Sequence, residues 1–195
     1  MANLDAPNGA SPSYHLHGGT VRYNGKYTIA SALAENIFLG DFVVLAATLN
    51  NTNIELAAVA ENLLGVFAGC QYVAANGDVV WAKQWVSGTA TLGGVDAEAF
   101  VYTDPSIVYT IQVNGSLSGL EAIGEQGEID VSVAGNASTG ISGHQISATT
   151  AVTAAQLRII RGAPQPNGIA MSDLTLANPR VEVQISEHAQ IANVV

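Results

Sequence analysis

Between Leu63 and Val86 the chain reads LLGVFAGCQYVAANGDVVWAKQWV, two strand-like runs on either side of Asn76-Gly77. Asn-Gly favours the positive-φ turn whose twist matches that of paired strands, so the segment predicts an antiparallel hairpin. Side chains alternate along a strand. On the second arm this puts Val79, Trp81, Lys83 and Trp85 on one face and Val80, Ala82, Gln84 and Val86 on the other. The apolar cover on both faces makes Trp81 and Trp85 core or subunit-contact residues, and anchors if they lie at an interface.

The same alternation recurs along the chain. IFLGDFVVLAA reads as a buried strand entered at the polar Asp41, and Asn50, Asn51 and Asn53 mark a turn before IELAAVA. AEAFVYTD and SIVYTIQV predict two strands with Pro105 in the connection between them. Asn114-Gly115 is a further turn, and Glu128, Asp130 and Ser132 alternate with Ile129, Val131 and Val133. LRIIRG and RVEVQIS resume the pattern on either side of a Pro-rich connection at PQPNG. Two segments depart from it towards helix, Tyr27 to Asn36 and the brief stretch from Ser118 to Gly124. Residues 135–155, rich in Gly, Ser, Thr and Ala, read as an exposed loop with short ordered pieces. The expected fold is therefore mainly β, with about eight to ten strands. It is an antiparallel β-barrel or β-sandwich-like domain with at most short helices.

Residues 1–19 hold Pro7, Pro12, Gly9, Gly18 and Gly19 among small polar residues and read as an extended N-terminal arm. Such an arm is either a frayed terminus or, laid across a neighbouring subunit, a segment that recovers its ordering entropy from intermolecular contacts. Residues 20–195 form a single β-rich domain of a length that buries roughly 70% of its extended surface.

Composition narrows the function classes. Sixteen acidic residues against six basic ones give a formal net charge of -10, which opposes direct nucleic-acid binding. No membrane span and no secretory leader are expected, so the sequon at Asn136 is read as incidental and synthesis is placed in a reducing cytoplasm. Cys70, the one cysteine, has apolar neighbours and reads as a small buried hydrophobe. His15 and His17 share a face of an extended segment, but zinc would need further ligands from distant residues; solvated histidines or a pair touching another subunit fit better. The acid pairs Asp96/Glu98 and Glu128/Asp130 lack a defined cleft, and the glycine-rich NGSLSG and SVAGNASTG do not follow a phosphate-loop pattern. No catalytic residue, cofactor site or metal site is expected.

The ordered set LLGVFAGCQYV, NGDVVWAKQWV, AFVYTDPSIVYTIQVNGSL, GISGHQI, AAQLRIIRG and VEVQISEH resembles the capsid decoration, or head-stabilising, proteins of tailed bacteriophages. The resemblance spans roughly residues 37–189. Its ending departs from the family pattern, with Ser186, Glu187 and His188 at the last position. It implies a non-enzymatic cement on the outer surface of the virion capsid, binding the phage major capsid protein as a homotrimer or other small homo-oligomer. It also implies packing roles for Leu64, Val66 and Phe67, and a scaffold turn at Asp104 and Pro105. Tyr14, His15, His17, Trp81, Trp85, Asp104 and Pro105 are the expected interface or scaffold residues. The alternative is a carbohydrate-binding or host-adhesion module on the virion surface, with Tyr14, Tyr23 and Tyr27 in one exposed polar-rimmed groove. A major shell or tail-tube subunit is a further possibility for a β-rich chain.

Overall fold

In the computed structural model, residues 3–47, 52–151, 154–165 and 171–191 are described. The part of the Asn-rich turn at Asn50 and Asn51, and most of the PQPNG connection, lie outside these residues. The strands in chain order are β1 (Ser11–His15), β2 (Asn24–Ile29), β3 (Ile37–Phe38), β4 (Phe42–Leu45), β5 (Ile54–Leu56), β6 (Gly65–Val73) and β7 (Val79–Ala82). They continue with β8 (Gln84–Trp85), β9 (Ala97–Tyr102), β10 (Ile107–Gln112), β11 (Gln126–Asp130), β12 (Gln145–Ala151), β13 (Leu157–Gly162) and β14 (Arg180–Ile185). The helical content among the described residues is two 3-10 turns, Leu92–Gly94 and Leu120–Ala122.

The strands build two six-stranded antiparallel sheets and a small ribbon. Sheet one runs β1-β10-β14-β13-β11-β12; sheet two runs β2-β9-β6-β4-β5, with β7 paired to β6; β3 and β8 form the ribbon. Sheet two carries a core on each face. Neighbouring residues show why: Phe42 and Val66 are cross-strand partners in the core shared with sheet one, while Val43 and Phe67, one residue on, belong to the second core. The first core joins them to Tyr109, Ile111, Ile129, Ile159, Val181 and Val183 of sheet one. The second gathers Ile29, Leu64, Cys70, Ala99 and Val101, together with Ile37 and Trp85 of the ribbon. The expected packing roles of Leu64, Val66 and Phe67 agree with this burial.

The fold is the mainly β, sandwich-like arrangement read from the sequence, with several local differences. Fourteen short strands are described rather than eight to ten, because runs read as single strands bend and change partners. IFLGDFVVLAA breaks at Gly40 into β3 and β4, and Asp41 is buried at the break. Tyr27 to Asn36 is not a helix. Its first residues are in β2, and Ser31 beyond them is tied to Asp96 Oδ1 (2.9 Å) and Gly94 O (2.8 Å) by bonds a helix would forfeit. The Gly/Ser/Thr/Ala stretch is not all loop either, since Gln145–Ala151 is β12, paired to β11. Sheet one curls until β12 meets the end of β10 at one isolated bridge, Val113 to Ile146, which stops short of a barrel.

Candidate functional site

Two places collect the residues singled out above: the joint where the sheets meet, and an overhang of sheet two. The joint is the turn between β9 and β10, where the chain crosses from one sheet to the other. Asp104 opens it by accepting the Ser106 N–H on Oδ1 at 2.8 Å, an Asx turn that Pro105 suits by fixing its own φ. Pro105 O accepts from Gln184 Nε2 (2.9 Å), and Ser106 O accepts the Leu16 N–H (3.0 Å). Strands β1 and β14 are thus both bonded to this one turn.

His15 closes the joint from the side of β1. Its Nδ1 accepts the His17 N–H at 3.1 Å, which assigns the proton to Nε2, and Nε2 lies 3.1 Å from Asp104 Oδ2. The Ser106 N–H and then His15 hold the Asp104 carboxyl below the usual carboxylate range against the opposing effect of burial. The His15 and His17 rings meet edge to face at 5.7 Å. Among the described residues no group of three or more His, Cys, Asp or Glu side chains is arranged to hold a metal ion.

Tyr14, next on β1, has its ring beside the Arg161 guanidinium (5.6 Å), and Arg161 Nε donates to the buried Glu182 at 2.6 Å. Burial, followed by the Glu182 charge, pushes the Tyr14 phenol up. Nearer the N-terminus, Gln112 Nε2 donates to Leu4 O (2.8 Å), its Oε1 accepts the Ala6 N–H (3.1 Å), and the Ala10 N–H donates to Gly40 O (2.9 Å). Residues 3–15 therefore lie along their own chain.

The overhang is where sheet two extends past the first core. On β9, Phe100 and Tyr102 point away from the second core that takes Ala99 and Val101. Gly69 lies opposite Phe100 on β6 at a bulge with φ 133°, and a Cβ there would meet Ala82 O at 2.9 Å. Trp81 of β7 stacks on Phe100 with ring centroids 5.4 Å apart and planes 2° from parallel, and Tyr23 meets Phe100 edge-on at 5.2 Å. Trp81 remains 67% exposed and Tyr23 56%.

The structure separates the two tryptophans that simple alternation puts on one face. The hairpin forms at Asn76-Gly77 as expected, but the chain bends at Lys83, leaves β6 and pairs with β3 as β8. Trp85 is thereby turned into the second core, fully buried and edge-on to Tyr72 at 5.7 Å. Tyr14, Tyr23 and Tyr27 are likewise dispersed. Tyr27 is buried, with its hydroxyl bonded to Gln190 Nε2 (2.7 Å), and Tyr14 belongs to the sheet-one edge, leaving Tyr23 on the overhang.

A buried polar pair had no local sequence signal. Asp41 Oδ2 accepts the Phe38 N–H (2.7 Å), and its Oδ1 lies 3.5 Å from His144 Nε2, whose Nδ1 accepts the Phe42 N–H (3.2 Å). Burial raises the Asp41 carboxyl and lowers the His144 imidazole, each partly offset by the other. Every contact here braces the β3–β4 break, and the side chains are closed to solvent. Cys70 is closed off too: its thiol donates to Gln84 O (3.4 Å), and burial pushes it up to about 12, which keeps it from acting as a thiolate at neutral pH.

An open cleft of ≈ 540 Å³ lies between residues 3–4 and residues 163–165 and 172–180, lined by Gln112, Ser172, Asn178 and Arg180 among others. Its polar groups suit hydrogen bonding, and among the described residues Arg180 is its one ionisable lining side chain. In comparisons with family models, curated proteins and solved structures, nothing matches the chain.

Proposed function

We propose that this protein is a structural component of a tailed-phage virion, binding the outside of the assembled capsid and stabilising joints between capsomers of the major capsid protein. The observation that carries the proposal is the ordered set of segments from LLGVFAGCQYV to VEVQISEH. Supporting it, these segments supply β6, the β9–β10 turn, β13 and β14, the framework that ties the two sheets together. Such a part suits a protein whose task is to carry load.

A cement stabilises by binding the assembled state in preference to its separated parts, and by meeting several neighbours at once it gains affinity from geometry as well as from each contact. In this reading the chain acts as a homotrimer or other small homo-oligomer on the virion exterior. It is made in the host cytoplasm and needs no catalytic centre, cofactor, nucleic acid or membrane. Cryo-electron microscopy of particles with and without the protein tests it. Outer-shell density that disappears on depletion and returns on add-back is the expected result. Its absence from the shell of particles that contain the protein would reject the proposal.

A further inference from the structure

We infer that the aromatic overhang of sheet two is a two-fold contact surface for a second copy of this chain. The inference stands apart from the capsid reading, since it rests on this surface alone.

The overhang is a largely apolar face, interrupted by Gln71 and Glu98. Gln71 is the cross-strand partner of both Trp81 and Glu98, and Val73 is paired with Val79, so Trp81, Val79 and Val73 follow one another beside the Phe100–Tyr23 pair. Val95 and Leu92 extend the face across a shallow hollow shared with Val73 and Glu98. Trp81, Val79, Val73, Tyr23, Val95 and Leu92 are all exposed large hydrophobics. With side chains of ordinary size their open area is roughly 500 Å², at the upper end for a monomer's largest patch and most of what one side of a standard interface supplies. The hollows of the face are small and open, unlike the enclosed pocket that takes a small molecule. Trp81 is held in place by the ring beneath it, so little side-chain entropy remains to be lost on docking.

Charge selects a second copy as the occupant. Lys83 lines the hollow that holds Trp81, Tyr23 and Phe100, while Glu98 and Asp96 line the neighbouring hollow, with a Glu98 carboxylate oxygen lying beside Phe100 at Gly25. Among the described residues neither Lys83 nor Glu98 has an ion-pair partner. A two-fold axis through the aromatic centre would bring Lys83 of each copy against Glu98 of the other, with Trp81 near the axis. A face with an unpaired cation beside β7, an unpaired anion on β9 and the stacked rings between those strands is its own complement.

Sedimentation velocity of the full chain, from micromolar to millimolar concentration, tests the inference alongside Trp fluorescence. Trp85 is buried in the monomer, so a shift of emission on association reports Trp81, and subtracting the Trp81→Phe spectrum isolates it. The expected result is a monomer–dimer equilibrium with a blue shift as dimer forms. Trp81→Ala should weaken it at least ~10-fold. Lys83→Glu and Glu98→Lys should each weaken it, and the double variant should recover most of the loss, a rescue peculiar to a contact between identical faces. Each site is exposed, and circular dichroism checks that the variants fold. A chain that stays monomeric at millimolar concentration, a dimer insensitive to Trp81→Ala, or charge reversals without rescue would overturn the inference. So would a different protein or a glycan found covering Trp81.

Discussion

The joint at Asp104 and the overhang at Trp81 differ in how their groups are committed. At the joint both carboxylate oxygens, the His15 ring and the Pro105 and Ser106 carbonyls have partners within the chain. At the overhang the rings stack on one another, while Glu98 and Lys83 are exposed and unpaired among the described residues. The joint is built to hold one geometry; the overhang retains unspent binding capacity. Two tryptophans four residues apart show how little sequence separates these outcomes, because a single bend at Lys83 places one in each kind of environment.

The sharpest test of that contrast is truncation of each tryptophan. Trp85→Ala should cost about 3–5 kcal/mol in denaturant unfolding, because it empties a filled part of the second core. Next in size, Arg161→Ala should cost about 1–3 kcal/mol by leaving the buried Glu182 carboxylate without its partner, whereas Arg161→Ala combined with Glu182→Gln should recover part of the loss. A recovery no better than the single variant would mean that the stem of Arg161 against Tyr14, rather than its charge, matters most.

A smaller effect comes from pH at the joint. Burial lowers the His188 imidazole near the joint, so the folded state resists its protonation, and stability should begin to fall as pH drops through the unfolded value near 6.5. Asp104 has the opposite charge type and a depressed pKa, so its contribution is present above the unfolded value near 4 and is lost as pH falls towards the folded one. Unfolding midpoints should therefore decline in two stages on acidification. Asp104→Asn should flatten the second stage and deepen the first, because the Asp104 charge partly offsets the effect of burial on His188. Smallest of all, Trp81→Ala should change the stability of the monomer by less than about 1 kcal/mol, since it removes one exposed stacking contact.

What could be read in the sequence was what local chemistry determines. The β6–β7 hairpin was legible because Gly77 after Asn76 supplies the positive φ that closes the turn and the flanking residues alternate. The Asp104-Pro105 turn was legible because proline cannot continue a ladder. The overhang was only half visible: Trp81 stood out, but Phe100 and Tyr23 reach it through cross-strand register and the Gly69 bulge, which no local pattern reports. The 28–36 segment has helix-forming residues, and distant partners such as Asp96 outweigh that preference. Strand β12 was missed because Ser and Thr on a half-exposed strand resemble a loop in composition. The Asp41–His144 pair joins residues 103 positions apart and had no local signal at all.

The order of sheet one has a consequence for how the molecule is made. Strand β14 lies between β10 and β13, although it follows both in the chain. While it is still unmade, β10 and β13 each present a bare edge, and the first core lacks Val181, Val183 and Ile185. β1 must meanwhile wait for a partner nearly a hundred residues downstream. Sheet two can close earlier, because its strands all precede Thr103. A nascent chain should thus hold one finished half and one sticky, incomplete half, with a slow final insertion set by long-range pairing.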